Sequence, residues 1–224
     1  MTDERNGKQQ VSQIPRMTII VIAKEPVAGR VKTRLCPPMS FDQAADLAES
    51  GLLDTIDAIR DIDFVDTVLY FDGDAKKYSQ SFTSVIAQTK GDLSNRLSHA
   101  FESVDQKQPA IIIAMDTPQI NGELLSSFDP NKYDACIGMT TDGGYWVIGF
   151  SEPKMARHAF SNIPMSTDKT GILQLEKLKA MGLNAQALDE LTDFDDMDSA
   201  KVVHDLIPYS RFGRTFERIV QELK

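Results

Sequence analysis

The chain has 224 residues, of which 24 are Lys or Arg and 33 are Asp or Glu, so its formal net charge is −9. This length suits one large α/β domain, and the acidic total argues against nucleic acid as a partner, because phosphate backbones need a broad basic surface. No apolar run approaches a membrane span, and the polar stretch over residues 1–16 is predicted to be a mobile leader without a signal-peptide core. Cys36 and Cys136 have no neighbour at metal-ligand spacing, so the sequence favours a cytoplasmic protein.

The first predicted element is a buried parallel strand over the apolar run 17–22. A loop rich in Pro, Gly and small residues follows it, at the end of the strand where open α/β sheets bind ligands. Gly29 would let the loop backbone approach such a ligand. Four cations on this loop suit a di- or triphosphate, with a solvated surface loop as the alternative. They are Lys24, Arg30, Lys32 and Arg34.

Strands and helices alternate along the rest of the chain, which predicts a mainly parallel sheet with helices on both faces. The segment 142–150 is expected to add an antiparallel element, and residues 17–224 are expected to form a single domain. The predicted helices cover residues 41–60, 93–104, 121–128, 152–160, 168–181, 199–206 and 211–223. The further predicted strands cover residues 65–71, 85–87, 110–115, 135–139, 146–150 and 183–188.

A second polar group follows a buried strand, as the basic loop does. Asp116 comes directly after the apolar run 110–115. A divalent ion that bridges phosphates is commonly held by one or two carboxylates. Asp116 is therefore a candidate metal ligand. Capping of the following helix is the alternative, because Asp-Thr-Pro is a common arrangement before a helix.

A cluster of aspartates and one separate aspartate are further candidates for the site. Four aspartates crowd into residues 193–198, where they repel one another unless a cation or water intervenes. A solvated loop and helix cap suits most of them, and Asp196 or Asp198 is the candidate second metal ligand. Asp142 precedes Gly143 and Gly144, which indicates a tight turn and leaves open a role in binding.

Taken together these stretches resemble one family. Lys24-x-Pro26 with Gly29-x-Val31-Lys32-Thr33-Arg34-Leu35, then Asp116-x-Pro118, Asp142-Gly143-Gly144-Tyr145 and a late Asp196-x-Asp198 occur in that order. They are similar to the DUF2064 proteins, also called selenodomain-associated transferase 1, over residues 17–207. That family resembles the GT-A (nucleotide-diphospho-sugar transferase) fold, a three-layer α/β/α Rossmann-like arrangement, and more distantly the phospholactate guanylyltransferases.

The resemblance implies a role for each matching residue. Lys24, Arg30, Lys32 and Arg34 would bind nucleotide phosphates, with Asp92 and Arg96 near the nucleotide. Asp116 would hold Mg2+ or Mn2+ together with Asp198 or Asp196. Asp142, Gly143, Gly144 and Tyr145 would line the acceptor side. The expected catalytic residues are Asp116, Lys32 and Asp142, the last as a candidate acceptor base.

The chain also departs from the family pattern. Ala114-Met115 stands where members usually have Gly-Ser, which puts bulk beside the metal position. Met165-Ser166-Thr167 replaces a frequent Trp-Ser-Thr on the acceptor side.

The sequence leads to a metal-dependent transferase that uses a nucleotide sugar or a nucleoside triphosphate as donor and a small molecule as acceptor. A non-catalytic nucleotide-binding or regulatory module on the same fold is the alternative. The third hypothesis is that the basic loop is plain protein surface. It predicts that Arg30→Ala and Lys32→Ala leave nucleotide affinity unchanged. The donor base, the sugar, the acceptor and a homodimeric state stay open.

Overall fold

The computed structural model describes residues 16–60, 62–63 and 65–224. The leader predicted for residues 1–16 lies outside these ranges except for Arg16, whose guanidinium donates to the Asp66 carboxylate at 2.6 Å. Among the described residues, no helix combines the length and the apolar character that a membrane crossing requires.

One seven-stranded sheet organises the described part of the chain, in the order β3-β2-β1-β4-β6-β5-β7. All neighbouring strands run parallel except β6, which is antiparallel to both β4 and β5. The predicted mainly parallel sheet with one antiparallel element is therefore confirmed. The strands are β1 (Met17–Lys24), β2 (Val65–Asp72), β3 (Ser84–Ala87), β4 (Ala110–Ala114), β5 (Ala135–Thr140), β6 (Tyr145–Phe150) and β7 (Ala185–Leu191).

Helices cover both faces of the sheet, which explains why β1 is apolar along its length. Ile19 and Val21 face one layer and Ile20 faces the other, and all three are fully buried. A parallel strand that is covered on both sides has no solvent-facing positions to keep polar. The α-helices are α1 (Phe41–Arg60), α2 (Leu93–Glu102), α3 (Gly122–Leu125), α4 (Thr170–Ala180), α5 (Met197–Leu206) and α6 (Arg211–Glu222).

Helix α1 is buried on two sides. Ala48 and Leu52 pack toward the sheet, whereas Ala44 and Leu47 belong to a second apolar layer with α5 and α6. Helix α6 is held on α1 by the buried Phe212 and by ion pairs from Arg211 to Asp54 and Asp57 and from Arg218 to Asp46. The C-terminal segment thus packs on its own chain.

The predicted helix over residues 121–128 is much shorter in the structure. Helix α3 ends at Leu125, and the Ser127 hydroxyl donates to the Leu124 carbonyl at 2.6 Å. Serine side chains compete in this way for helical carbonyl groups, and Pro130 follows closely. The predicted helix over 152–160 is a 3-10 helix, Pro153–His158.

Candidate functional site

The carboxyl ends of β1 and β4 meet at one edge of the sheet, because the two strands are parallel neighbours. Strand β1 leads into the basic loop and β4 leads to Asp116. The Lys24 amide donates to the Met115 sulfur at 3.4 Å, which ties the two segments together. Asp116 does not cap a helix, since Asn121 is the N-cap of α3. The Met115 side chain, whose bulk was expected beside the metal position, is mostly buried in the core.

Lys32 lies at the centre of this edge. Its ammonium group donates to Asp116 Oδ2 at 2.9 Å and to Asp195 Oδ1 at 2.7 Å, and it lies 4.5 Å from the centre of the Phe194 ring. The side chain is 9% exposed. The Lys32 backbone is left-handed, with φ 47°. A lysine held this way is not a solvated surface residue.

Asp193 and Asp195 reach the site because the residue between them is anchored in the core. Phe194 is fully buried, packs against Phe212 with ring centres 4.6 Å apart, and donates its amide to the Asp116 carbonyl at 3.0 Å. Carboxylate oxygens of Asp116, Asp193 and Asp195 all lie within 4.8 Å of one another. We call these three residues the carboxylate triad.

The pKa values of the two late aspartates shift in opposite directions, because their neighbours differ in charge. Burial, together with the charges of Asp116 and Asp142, raises the pKa of Asp193 to about 7. Burial acts in the same direction on Asp195, but Lys32 and Arg34 outweigh it, and the pKa of Asp195 is lowered. Burial acts to lower the pKa of Lys32, yet the two aspartates raise it, so the ammonium stays charged.

The triad fits a divalent metal ion. Carboxylate oxygens are the ligands that Mg2+ and Mn2+ prefer, and three of them converge here on one small volume. The ammonium group of Lys32 already bridges two of the three acids. The residues present thus favour a cation at this position.

Two cavities open on either side of Asp116 and Asp195. One, of about 290 Å³, is lined by the basic loop, including Lys24, Arg30 and Arg34. The other, of about 480 Å³, is lined by Asp142, Asp193, the glycine turn that follows Asp142, and residues 165–168. Asp116, Asp195 and Arg34 line both. We call them the basic cavity and the acidic cavity.

Three of the four predicted acceptor-side residues, Asp142, Gly144 and Tyr145, line the acidic cavity, and Gly143 lies in the turn between them. Asp142 Oδ1 accepts from the Gly144 amide at 2.8 Å and from the Thr140 hydroxyl at 2.6 Å. Gly143 has φ 90°, and a Cβ there would lie 2.1 Å from the Asp168 carbonyl oxygen. Only glycine allows this close approach of two backbones. Tyr145 begins β6 and lines the same cavity.

Three of the predicted nucleotide-binding residues, Asp92, Arg96 and Gly29, line neither cavity, whereas Arg30 lines the basic one. Asp92 caps α2 by accepting from the Asn95 amide at 2.9 Å, and Arg96 donates to the Gln88 side chain at 3.2 Å. Gly29 is exposed, with φ 76°. Arg30 is half exposed and lies 4.0 Å from Asp72.

The structure does not bring Asp196 or Asp198 into the carboxylate triad. The Asp196 carboxylate accepts from the amide and the hydroxyl of Ser199 at 2.9 Å each, which closes a capping box at the start of α5. Asp198 lies in the first turn of that helix. The predicted late ligands Asp196 and Asp198 thus stand apart from the acids that the structure groups with Asp116, and the sequence analysis did not single out Asp193 or Asp195.

We expect Asp196→Ala to reduce the free energy of unfolding by about 1 kcal/mol, the usual cost of losing a helix cap. Urea unfolding of the purified protein measures this change. Asp198→Ala is the matched control and should change stability less. A drop in Mn2+ affinity in Asp196→Ala, with unchanged stability, would contradict the capping role.

The strand order and the helices on both faces of the sheet define an α/β fold of the nucleotide-diphospho-sugar transferase type. A candidate nucleotide-diphospho-sugar transferase from Desulfovibrio desulfuricans G20 superposes with a TM-score of 0.83 at 24% identity, over 93% of this chain and 97% of that one. CMP:2-keto-3-deoxy-manno-octonic acid synthetase in complex with CTP gives 0.56 at 12% identity, over 86% and 98%. A Pyrobaculum calidifontis mannosyltransferase in complex with GDP-Man and Mn2+ gives 0.50 at 13% identity, over 80% and 57%. At these identities the likeness shows a shared fold.

The particular family follows from the sequence. Residues 55–167 match the model of uncharacterized proteins conserved in bacteria, DUF2064, and this chain belongs to that family. The family resemblance expected from the motifs is therefore confirmed. No curated protein matches the chain.

Proposed function

We propose that this protein is a metal-dependent transferase, with a nucleotide sugar or a nucleoside triphosphate as donor. The observation that carries the proposal is the position of Asp116 and Asp195, which form a shared wall between a cation-lined cavity and an acid-lined cavity. In this proposal the donor phosphates occupy the basic cavity and the acceptor occupies the acidic cavity. The two reactants would then meet at the carboxylate triad.

The residues of the site have separate roles in this mechanism. Lys24, Arg30 and Arg34 bind and orient the donor phosphates. Lys32 stabilises the negative charge that builds on the departing phosphate group, which is electrostatic catalysis by a preorganised cation. Asp116, Asp193 and Asp195 would hold Mg2+ or Mn2+, which supplies further charge neutralisation when bound.

The acceptor loses a hydroxyl proton in either form of the reaction. Asp142 lines the acceptor cavity and is the candidate base, although its Oδ1 is engaged by Gly144 and Thr140. Glycosyl transfer breaks the bond from the sugar carbon to oxygen and releases a nucleoside diphosphate. Nucleotidyl transfer breaks the bond at the α-phosphorus and releases pyrophosphate.

The first test is a thermal unfolding screen of nucleotides and nucleotide sugars, each with and without Mg2+ or Mn2+. A ligand at a hundredfold excess over its Kd should raise the Tm by about 5–10 °C for a protein of this size. We expect this shift only when metal and the right nucleotide are both present. A Tm that no nucleotide changes, with either ion, would contradict the proposal.

Product analysis then separates a transferase from a nucleotide-binding module. The donor that raises the Tm is incubated with a panel of hydroxyl acceptors, and released nucleoside diphosphate and pyrophosphate are measured. We expect one of the two leaving groups with the native protein and neither with Asp116→Asn. Nucleotide binding without any product from the whole panel would favour the module.

A further inference from the structure

The acidic cavity has a charge that restricts what can bind in it. Arg34 is the one cationic side chain among the described residues that line it, and its guanidinium is 3.0 Å from Asp195. The cavity has a volume of about 480 Å³, enough for a small-molecule ligand. Its acidic lining residues are Asp116, Asp142, Asp168, Asp193 and Asp195.

The negative charge of the acidic cavity as a whole is not fully offset by the cations around it. The three triad carboxylates carry at most three negative charges, which one divalent ion and the Lys32 ammonium would balance. Asp142 and Asp168 add at most two further negative charges, and the Arg34 guanidinium, which is paired with Asp195, offsets one of them, so a single negative charge is left over. The Asp142 carboxylate accepts two hydrogen bonds from its own turn, which hold it in place at the cavity wall.

The rest of the lining suits hydroxyl groups. The Tyr145 hydroxyl has the Met165 sulfur as its hydrogen-bond partner, at 3.8 Å, and sulfur is a weak acceptor. Ser166 and Thr167 are exposed beside it, and Leu93, Ala114 and part of Trp146 supply apolar surface. Carboxylates accept hydrogen bonds from sugar-like hydroxyls, and they repel phosphates and other carboxylates.

We propose that the acceptor is a polyhydroxylated molecule, neutral or bearing an amine, that carries no phosphate or carboxylate. The inference rests on the proposed function, because it assigns the acceptor to the acidic cavity. The carboxylates of Asp142 and Asp168 repel anionic acceptors. Arg34 does not fully counteract this repulsion, because its guanidinium is paired with Asp195. Electrostatic complementarity of this kind mainly determines specificity.

The first experiment compares matched acceptors with the donor and metal fixed. Glucose, glucosamine, glucose 6-phosphate and glucuronic acid differ in charge on one scaffold, as do glycerol and glycerol 3-phosphate. Product from neutral or amine-bearing members at a rate at least about tenfold above their anionic counterparts supports the proposal. Faster product from an anionic member overturns it.

A second experiment measures the electrostatic preference of the cavity with charged thiol reagents, and it does not require any acceptor of this panel to react. Ser166→Cys places a thiol at the cavity, and Ser84→Cys on β3 is the matched control at one edge of the sheet; both carry Cys36→Ser. Each thiol is modified with a cationic and an anionic methanethiosulfonate reagent, in the presence of Mn2+. We expect the cation-to-anion rate ratio at Ser166→Cys to exceed that at Ser84→Cys by at least about tenfold, and to fall when Asp168→Asn is added.

Equal ratios at the two positions, or faster modification of Ser166→Cys by the anionic reagent, overturn the proposal. This outcome is independent of the thermal screen, which tests nucleotide and metal binding. A cationic preference without any nucleotide-dependent Tm shift would therefore contradict the proposed function and leave the cavity's selectivity supported. A Tm shift without the cationic preference would do the reverse.

Discussion

Asp116→Asn should lower the affinity for Mn2+ by at least about tenfold and remove the metal-dependent stabilisation by nucleotide. Losing a group that only orients a metal ligand commonly costs 10- to 100-fold in metal affinity, so losing a ligand charge should cost no less. The asparagine keeps the size of the side chain and its carbonyl oxygen. Lys32 keeps Asp195 as a partner, 2.7 Å away, so the fold should survive the substitution.

Isothermal titration of the purified protein with Mn2+ measures this effect. Asp198→Asn is the matched control, because Asp198 lies in the first turn of α5 and outside the carboxylate triad. Asp193→Asn and Asp195→Asn should resemble Asp116→Asn. Equal Mn2+ affinity in Asp116→Asn and Asp198→Asn would contradict the assignment of the triad as a metal site.

The sheet, and the edge of it where the candidate site lies, were predictable from local patterns. The apolar run of β1 predicts a strand covered on both faces, and a parallel sheet brings its carboxyl end beside that of β4. Lys32 and Asp116 lie 84 positions apart in the chain, yet they meet at 2.9 Å because their strands are neighbours. Knowing that β1 and β4 are parallel neighbours is therefore enough to predict that these two residues meet.

The identity of the late acids depended on tertiary packing. Which of the four aspartates in 193–198 face the site is determined by Phe194, which is buried between α1 and α6. Two signals in the sequence could have indicated this. A single aromatic residue among four acids favours an inward anchor with its neighbours directed outward, and Asp196 with Ser199 has the spacing of a capping box.

Phe194 also links the site to the second apolar layer. Its ring packs beside Gly51 of α1, where an added Cβ would lie 2.9 Å from the ring. The opposite neighbour is Phe212 of α6, and the Lys32 ammonium lies over the ring. Helix α6 therefore supports the loop that carries Asp193 and Asp195, although it contributes no residue to either cavity.

The second large effect is expected at Lys32, because this side chain is a counter-ion as well as a phosphate ligand. Lys32→Met keeps the length of the aliphatic stem and its packing on Phe194 but removes the charge. The partner carboxylates of Asp116 and Asp195 are then left facing each other. Breaking a buried ion pair costs about 3–5 kcal/mol, and partial exposure of both aspartates lowers the expected loss to about 1–3 kcal/mol.

Metal and nucleotide should respond to Lys32→Met in opposite directions. The ammonium group bonds to two of the three carboxylates that would hold Mn2+, so its removal should tighten Mn2+ binding and increase the stabilisation that Mn2+ provides. Nucleotide affinity should fall by about tenfold or more, because a charge-assisted contact to phosphate is lost. Titration with Mn2+, titration with the nucleotide found in the thermal screen, and urea unfolding without metal measure the three quantities.

Arg30→Met is the matched control for these measurements. Arg30 lines the basic cavity but is half exposed and lies 4.0 Å from Asp72, so its loss should weaken nucleotide binding without changing metal-free stability or Mn2+ affinity. If Lys32→Met and Arg30→Met both leave nucleotide affinity unchanged, the basic loop does not bind the donor. If Lys32→Met weakens Mn2+ binding instead of tightening it, the ammonium assists the metal site, and the two cations act together rather than in competition for Asp116 and Asp195.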